Sequence, residues 1–528
     1  MTGRPTHQGP QGRPAAPGPA ADRAQGAAPG HTTGPGHPGT AGRATAPGRP
    51  ADPGGRQAAP QGLHPADHSH PHHHASTPWP EARAIAARAG AAQRAAQGRQ
   101  GRTARGRESP DTPWTPLDEA LGLVTAAPLI ALTDLPSFDS SAMDGWAVVG
   151  PGPWLIQGEG EGEGGGERSG APASDRIPRG LLAGHDSPEL IGDGQAVHIA
   201  TGARIPHDAT AVIRSEHAHT DHRGRLYATR EVVHGQDIRP RGQECRKGDR
   251  LLPSGVVITP AVLGLAAAAG YDELPTVPRP RAEVLILGDE LLTAGLPHDG
   301  LIRDALGPML APWLRALGVE VTAVRRLGDD ARALHRAVTG STADMLVTTG
   351  GTAAGPVDHV HPTLHRIGAD LLVDGVAVRP GHPMLLARTK EHQHLVGLPG
   401  NPLAAVSGLL TLAEPLARAL RGLGVPGLAV PAVPQSSSSS SSSVPGTRGR
   451  TAVVGDGVQG HPRDTRLVPV ALSGGDALPL HYNGPAMLRG VAEADALAVV
   501  PPGGAQAGEV LDILDLPWAR GGGGSGAS

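Results

Sequence analysis

EVLILGDE (283–290), RDALGPMLAPWLRALG (303–318), VEVTAV (319–324), DDARALHRAVTG (329–340) and DMLVTTGG (344–351) follow one another in close succession. The first is a buried-strand run that ends in a glycine and two acids. The second places Leu306, Met309, Leu310, Trp313, Leu314 and Leu317 on one helical face. Pro312 inside that pattern predicts a kink or a late helix start, because proline lacks the N–H that the helix needs. VEVTAV reads as the next strand. DDARALHRAVTG reads as a capped helix, with acids at its start and Gly340 at its end. DMLVTTGG is a strand that runs into a glycine loop. This βαβαβ alternation predicts a parallel sheet with helices on both faces, and such sheets bind ligands at the carboxyl ends of their strands.

Downstream, SSSSSSSS (436–443) reads as a linker, and TAVVG, RLVPVAL, ALAVVPP and EVLDILDL make residues 450–517 β-rich. Upstream, PWLIQG, AVHIATGA, AVIRSE and RLYATREVV lie between glycine-rich turns over 153–235, which predicts a small β-rich domain with an acidic insertion, GEGEGEGGGERSG, at 158–170. LDEALGLVTAAPLIAL (117–132) has helix-spaced apolar residues followed by an extended run. Residues 1–112 are mostly Gly, Pro, Ala, Arg and His, a composition that buries too little apolar surface to offset the entropy of ordering, so disorder is expected there. Within it, EARAIAARAGAAQRAAQG (81–98) is expected to be transiently helical. It has no wide apolar face, so strong docking is not expected.

Composition excludes several classes. A net charge of -4 gives no global basic field for nucleic acid or anionic lipid. One cysteine, Cys245, excludes an internal disulfide and a cysteine-based zinc site. No apolar run reads as bilayer-length and no signal-peptide stretch is evident, so a soluble, cytoplasmic protein is the expectation. The His cluster DHSHPHHH (67–74) has imidazoles that suit transition metals, but a biased tract without ordered partner ligands is the preferred reading.

Four segments carry chemistry. FDSSAMDGWAV (138–148) holds Asp139 and Asp144 in a turn-forming core, and taken locally a tight turn whose Asp and Ser side chains cap the backbone is the better reading. LGDELLTAG (287–295) puts Asp289 and Glu290 at a strand end, where carboxylates are placed to hold a hard cation such as Mg²⁺; a solvated acidic loop is the plainer alternative. TTGGTAAGPVDH (348–359) is a glycine loop whose N–H groups suit a phosphate, with Asp358 close behind. VRPGHP (378–383) and GLPGNP (397–402) are turns that bring Arg379 and His382 toward an anion, or are simply structural. Together they describe a nucleotide or phosphate-ester pocket, and the residues alone do not name its ligand.

In this order, FDSSAMDGWA, IATGARIP (199–206), RPRGQECRKGD (239–249), LGDEL, IRDALGPML (302–310), GGTAAGPVD, VRPGHP and GLPGNPLAAVSG (397–408) resemble the molybdopterin molybdenumtransferase family, which includes the C-terminal part of gephyrin. The resemblance runs from about residue 114 to 517. It implies an α/β and β multidomain fold. A split lever domain would comprise 113–138 and 236–280, and a β-rich domain 139–235. A Rossmann-like α/β domain similar to the pterin-adenylating enzyme would span 281–425, with a linker over 426–449. A C-terminal β-barrel would occupy 450–517, with a disordered tail over 518–528. The implied activity inserts molybdate into adenylated molybdopterin with Mg²⁺ and releases AMP, at a site shared between two subunits of a homodimer. Further implied partners are the pterin-adenylating enzyme and molybdoenzyme chaperones, with no nucleic acid and no membrane.

Carried over residue by residue, the resemblance implies catalytic roles for Asp144, Thr201, Glu244, Asp329 and Asp358. It implies substrate binding by Gly350, Gly351, Gly355, Arg379, His382 and Asp304, and metal binding by Glu290 and Asp289. Several polar residues of the family pattern are replaced. Glu244 stands for an aspartate, Leu287 for a threonine, Ala305-Leu306 for Ser-Asn, and GGTAAG lacks a serine. The retained acids favour the enzyme. The lost polar groups favour a divergent, non-catalytic paralogue acting as cofactor carrier or scaffold. Tungstate in place of molybdate is a third reading, and Cys245 is read as incidental.

Overall fold

The computed structural model describes residues 76–103, 113–157, 180–184, 191–352, 358–428 and 449–518. All lie in one compact unit that runs from His72 to Ser528. The His cluster, the acidic insertion, Gly355, the serine run and nearly all of the tail lie outside the described residues.

The alternating stretch forms a six-stranded sheet in the order Glu320–Leu327, Arg281–Leu287, Met345–Thr349, Gln393–Leu398, Leu385–Lys390, Asp370–Asp374. The first four strands are mutually parallel, and the last two pair antiparallel. Side chains alternate through this sheet. Val284, Ile286, Met345 and Val347 pack on one face with Leu310, Trp313 and Leu314 of the helix Leu306–Ala316. Leu285 and Leu346 pack on the other face with Leu334, Val338 and Leu364 from the helices Ala331–Gly340 and Val360–Arg366. The helix Leu306–Ala316 runs through Pro312 and starts well before it, so the late start allowed by the sequence is not what forms. Asp330 caps the next helix by accepting from Arg332 N–H at 2.7 Å, and Lys390 Nζ holds its far end by donating to the carbonyls of Thr339 and Ser341 at 3.0 and 2.8 Å.

Residues 114–130 pair with residues 250–277: Trp114–Pro116 and Val124–Thr125 flank Glu273–Val277, and Leu129–Ile130 pairs with Arg250–Leu252. The β-rich part between them is a six-stranded sheet ordered Ala218–Thr220, Arg225–Ala228, Trp154–Ile156, Gln195–Ile199, Gly145–Val148, Ala211–Arg214. At the C-terminus a barrel closes. Thr465–Ser473, Asp476–Pro479, Arg450–Val454, Val510–Asp515 and Ala496–Val500 pair in turn, and the last returns to the first. The same sheet extends outward through Val376–Arg379 to Thr77–Pro78.

Two expectations are corrected. Part of the segment read as disordered, with at most a transient helix, is a helix from Trp79 to Thr103, and it is docked. Ala82, Ala86 and Ala87 are fully buried. The sequence reading weighed the width of the apolar face, but alanine and glycine trade buried area for close approach. At Gly90 a Cβ would lie 2.5 Å from Leu416 O. Polar anchors complete the seat: Trp79 Nε1 donates to Thr411 Oγ1 at 3.0 Å, and Gln93 Nε2 donates to His392 O at 2.7 Å.

The second correction concerns apolar length. Pro402–Leu420 is long and apolar enough to cross a bilayer, but 89% of its most apolar 18-residue window is buried inside the protein, as in a core helix. It contains a π turn at Leu409–Ala413.

Candidate functional site

At the carboxyl ends of the parallel strands lies a cleft of about 300 Å³, lined by Leu287, Gly288, Glu290, Gly328, Asp329, Asp330, Leu334, Gly350, Gly351, Asp358 and His359. Each piece follows from local sequence. The strand Arg281–Leu287 ends at Gly288, whose φ of 130° turns the chain back. Glu290 then folds over Gly288, where a Cβ would meet Glu290 Oε2 at 2.3 Å. The strand Met345–Thr349 runs into Gly350 and Gly351, both at positive φ (75° and 64°). Asp329 enters at the turn before the helix Ala331–Gly340. Its N–H donates to Asp289 Oδ2 at 3.2 Å, and its carbonyl lies 3.2 Å from His359 Nε2.

Of the residues singled out in the sequence, the cleft brings together Glu290, Asp329, Asp358, Gly350 and Gly351. Asp289 is turned to the Gly328–Asp329 loop and does not line the cleft. Asp144 and Thr201 meet each other on the β-rich domain, where Thr201 N–H donates to Asp144 Oδ1 at 2.7 Å. That bond, with the Thr201 hydroxyl, holds the Asp144 carboxyl below its usual range. Gly145 beside it is required by packing, since a Cβ there would lie 1.9 Å from Ile213 O. Glu244 is exposed on a loop tied by its own N–H to Leu135 O at 2.8 Å.

Three residues expected to bind substrate are engaged by the fold instead. Asp304 is 4% exposed, accepts from Gly307 N–H at 2.8 Å at a helix start, and is ion-paired with Arg326. Arg379 Nε donates to Asp464 Oδ2 of the barrel at 2.7 Å. His382 Nδ1 lies 2.8 Å from Val376 O, closing the turn between two strands. Neither Arg379 nor His382 lines the cleft, and no Lys or Arg is among its described lining residues. The Gly350 N–H is also taken, by Leu398 O at 2.9 Å, so it is not free to cradle a phosphate.

Sequence reasoning missed Asp330, His359 and His361. His361 lies between two carboxylates: Nδ1 is 3.1 Å from Asp358 Oδ2, and Nε2 is 2.9 Å from Asp374 Oδ1. The hydrogen bond to Asp358, with Asp374 adding to it against the effect of burial, pushes the imidazole up to about 9. The spacing of Asp358 and His361, three apart at a helix start, was a usable signal.

An acid-lined cleft beside a glycine turn, at the carboxyl ends of parallel strands, defines an α/β protein with its candidate site where sheets of this kind bind ligands. Comparison with known proteins sharpens this. Residues 79–270 match the MoeA N-terminal region (domain I and II), 283–419 match the probable molybdopterin binding domain, and 451–516 match the MoeA C-terminal region (domain IV). The match therefore begins at the N-terminal helix, not at residue 114. Molybdopterin molybdenumtransferase 2 of Mycobacterium tuberculosis is 34% identical over 348 residues, covering 63% of this chain and 80% of that protein. Molybdopterin molybdenumtransferase of Staphylococcus aureus is 28% identical over 411 residues, covering 75% and 90%. The fold is shared with the crystal structure of the molybdopterin biosynthesis moeA protein of Pyrococcus horikoshii (TM-score 0.60, 20% identity, 84% of this chain and 100% of that one). The chain belongs to the molybdopterin molybdenumtransferase family, and so to the transferases of molybdenum cofactor biosynthesis.

Proposed function

We propose that this chain inserts molybdate into adenylated molybdopterin and releases AMP, using the cleft between Glu290, Asp329 and Asp358. The observation that carries the reading is the convergence of these acids with Gly350 and Gly351 at the strand ends, within a chain of this family. In the reaction the two dithiolene thiols form two Mo–S bonds and displace one oxygen of molybdate, which leaves as water with the two thiol protons, so molybdenum keeps its oxidation state. Water cleaves the phosphoanhydride, leaving the pterin phosphate and AMP.

The donor set fits Mg²⁺. The lining is acidic and lacks Lys and Arg, so a pyrophosphate entering it needs a cation; among the described residues no three Asp, Glu, His or Cys side chains are arranged to hold a metal by themselves. Mg²⁺ typically takes one or two carboxylates and fills its remaining positions with water and phosphate oxygens. Glu290 would hold the ion, and Asp289, bonded to the Asp329 N–H, would hold the loop that forms the cleft wall. When bound, it would neutralise pyrophosphate charge. Asp329 and Asp358, which line the same cleft, would face the substrate. Asp144, Thr201 and Glu244 lie on elements outside this cleft, and their part in the reaction goes with a homodimer in which a second subunit completes the site. A cytoplasmic location belongs to the same reading.

One observation favours a chain that binds without turnover: Arg379, His382, Asp304 and the Gly350 N–H are all engaged within the fold. Full-length protein mixed with adenylated molybdopterin, molybdate and Mg²⁺ separates the two readings. Molybdate-dependent AMP release that collapses in Glu290→Ala establishes the transferase. Tight binding without AMP release leaves a carrier.

A further inference from the structure

Asp358 is held from two sides. Its Oδ1 accepts from Val360 N–H at 2.9 Å, and its Oδ2 faces His361 Nδ1. The far nitrogen of the same ring faces Asp374, which ends the strand Asp370–Asp374. Both ring nitrogens thus meet carboxylates, an arrangement satisfied when the ring donates an N–H to each. The Asp358 side chain is only 7% exposed, so these contacts, and not water, set its orientation. Asp374 is tied in turn to the sheet edge, so the ring transmits the position of a strand to a carboxylate in the cleft.

We propose that His361 is a positioning residue: clamped by Asp374, it locks the Asp358 carboxylate in the one orientation that faces the cleft. This rests on the assignment of Asp358 to the reaction made above. A side chain fixed before substrate arrives loses no rotamer freedom on the way to the transition state. His361 itself touches no substrate, and its whole effect runs through Asp358.

A double-mutant cycle on the full chain tests this. AMP release from adenylated molybdopterin, molybdate and Mg²⁺ is measured for wild type, His361→Ala, Asp358→Asn and the double variant. His361→Ala is expected to lower kcat by about ten- to a hundredfold, the usual loss when an orienting partner is removed, with KM nearly unchanged. The double variant is expected to be no slower than Asp358→Asn alone. Wild-type kcat in His361→Ala, or losses that multiply in the double variant, overturns the proposal. Where His361→Ala does not fold, His361→Gln, which keeps one donor, replaces it and is expected to retain part of the rate. A wild type that binds adenylated molybdopterin without releasing AMP sinks the transferase reading alone. The same cycle is then read on the dissociation constant, with the same non-additivity expected. A wild type that neither binds nor turns over overturns both.

Discussion

Arg83 donates to the carbonyl of Leu410, which the fold would otherwise leave without a donor. The cause lies five residues further along the helix. In the π turn, Glu414 N–H bonds Leu409 O, so it does not serve Leu410. The next N–H in that register would come from residue 415, which is proline. The N-terminal helix supplies the missing donor, and Arg83 Nη2 also reaches Pro426 O at 3.4 Å.

Replacing Arg83 with Met keeps the aliphatic stem and removes that donor. A buried carbonyl left unpaired costs about 1–3 kcal/mol. The expected outcome is a lower thermal unfolding midpoint, read by calorimetry, with no gain from the apolar replacement. An unchanged midpoint would mean that water serves Leu410 instead.

Gly90→Ala sets two effects against each other. Alanine gains about 1 kcal/mol over glycine in a helix interior. Against that, its Cβ would lie 2.5 Å from Leu416 O and 2.9 Å from Ala419 Cβ, so two helices must separate. Overpacking of this kind costs about 1–3 kcal/mol and falls on backbone that cannot rotate away. Net destabilisation is expected, visible as a lowered urea midpoint.

His394 gives an acid limb to stability. Its Nδ1 donates to Gln93 Oε1 at 2.6 Å, the only orientation open to that amide, because Gln93 Nε2 already serves the carbonyls of Asp344 and His392. Burial, with Arg388 adding to it, pushes the ring down to about 4. The unfolded chain therefore takes up this proton first, and stability falls as pH drops from about 6.5, the ordinary value, toward 4. Midpoints measured across that range should fall less steeply in His394→Gln than in wild type; parallel slopes would remove His394 as the cause.

His361 acts on the other side of neutrality. Its raised value of about 9 means the folded state holds the proton longer than the unfolded chain. The stabilisation is complete below about 6.5 and is lost as pH climbs through 9. Asp374→Asn removes one of the two carboxylates and should shift that loss to lower pH. Identical alkaline profiles in the two proteins would show that Asp374 does not act on the ring.

Legibility in the sequence followed the range of the interactions. The helix Ala331–Gly340 and the strand ending at Leu287 were readable, because an Asp cap, a glycine and a period of apolar residues are local signals. Three of the cleft's acids, Glu290, Asp329 and Asp358, were readable for the same reason, since each sits at the end of a recognisable element. What the sequence did not show was non-local. Arg379 looked like a free cation until Asp464, 85 positions on, took it. Asp304 looked like a ligand residue, but Arg326 and a helix start claim it. The Trp79–Thr103 helix has no wide apolar face, and nothing in its own residues announces a π turn that needs an arginine.

The seating of that helix also bears on how the chain is made. Trp79 and Arg83 find Thr411 and Leu410 at separations of 332 and 327 residues. At translation speeds of about 5–20 residues per second, the ribosome needs roughly 15 to 65 s to supply those partners. The β-rich segment 139–235 is itself made during the first half of that interval, and an alanine-rich helix presents little apolar surface to it or to any other neighbour. A stickier helix would dock sooner and with less discrimination. The poverty of apolar side chains that hid this element from a reading of the sequence therefore also limits what it can stick to before its partners exist.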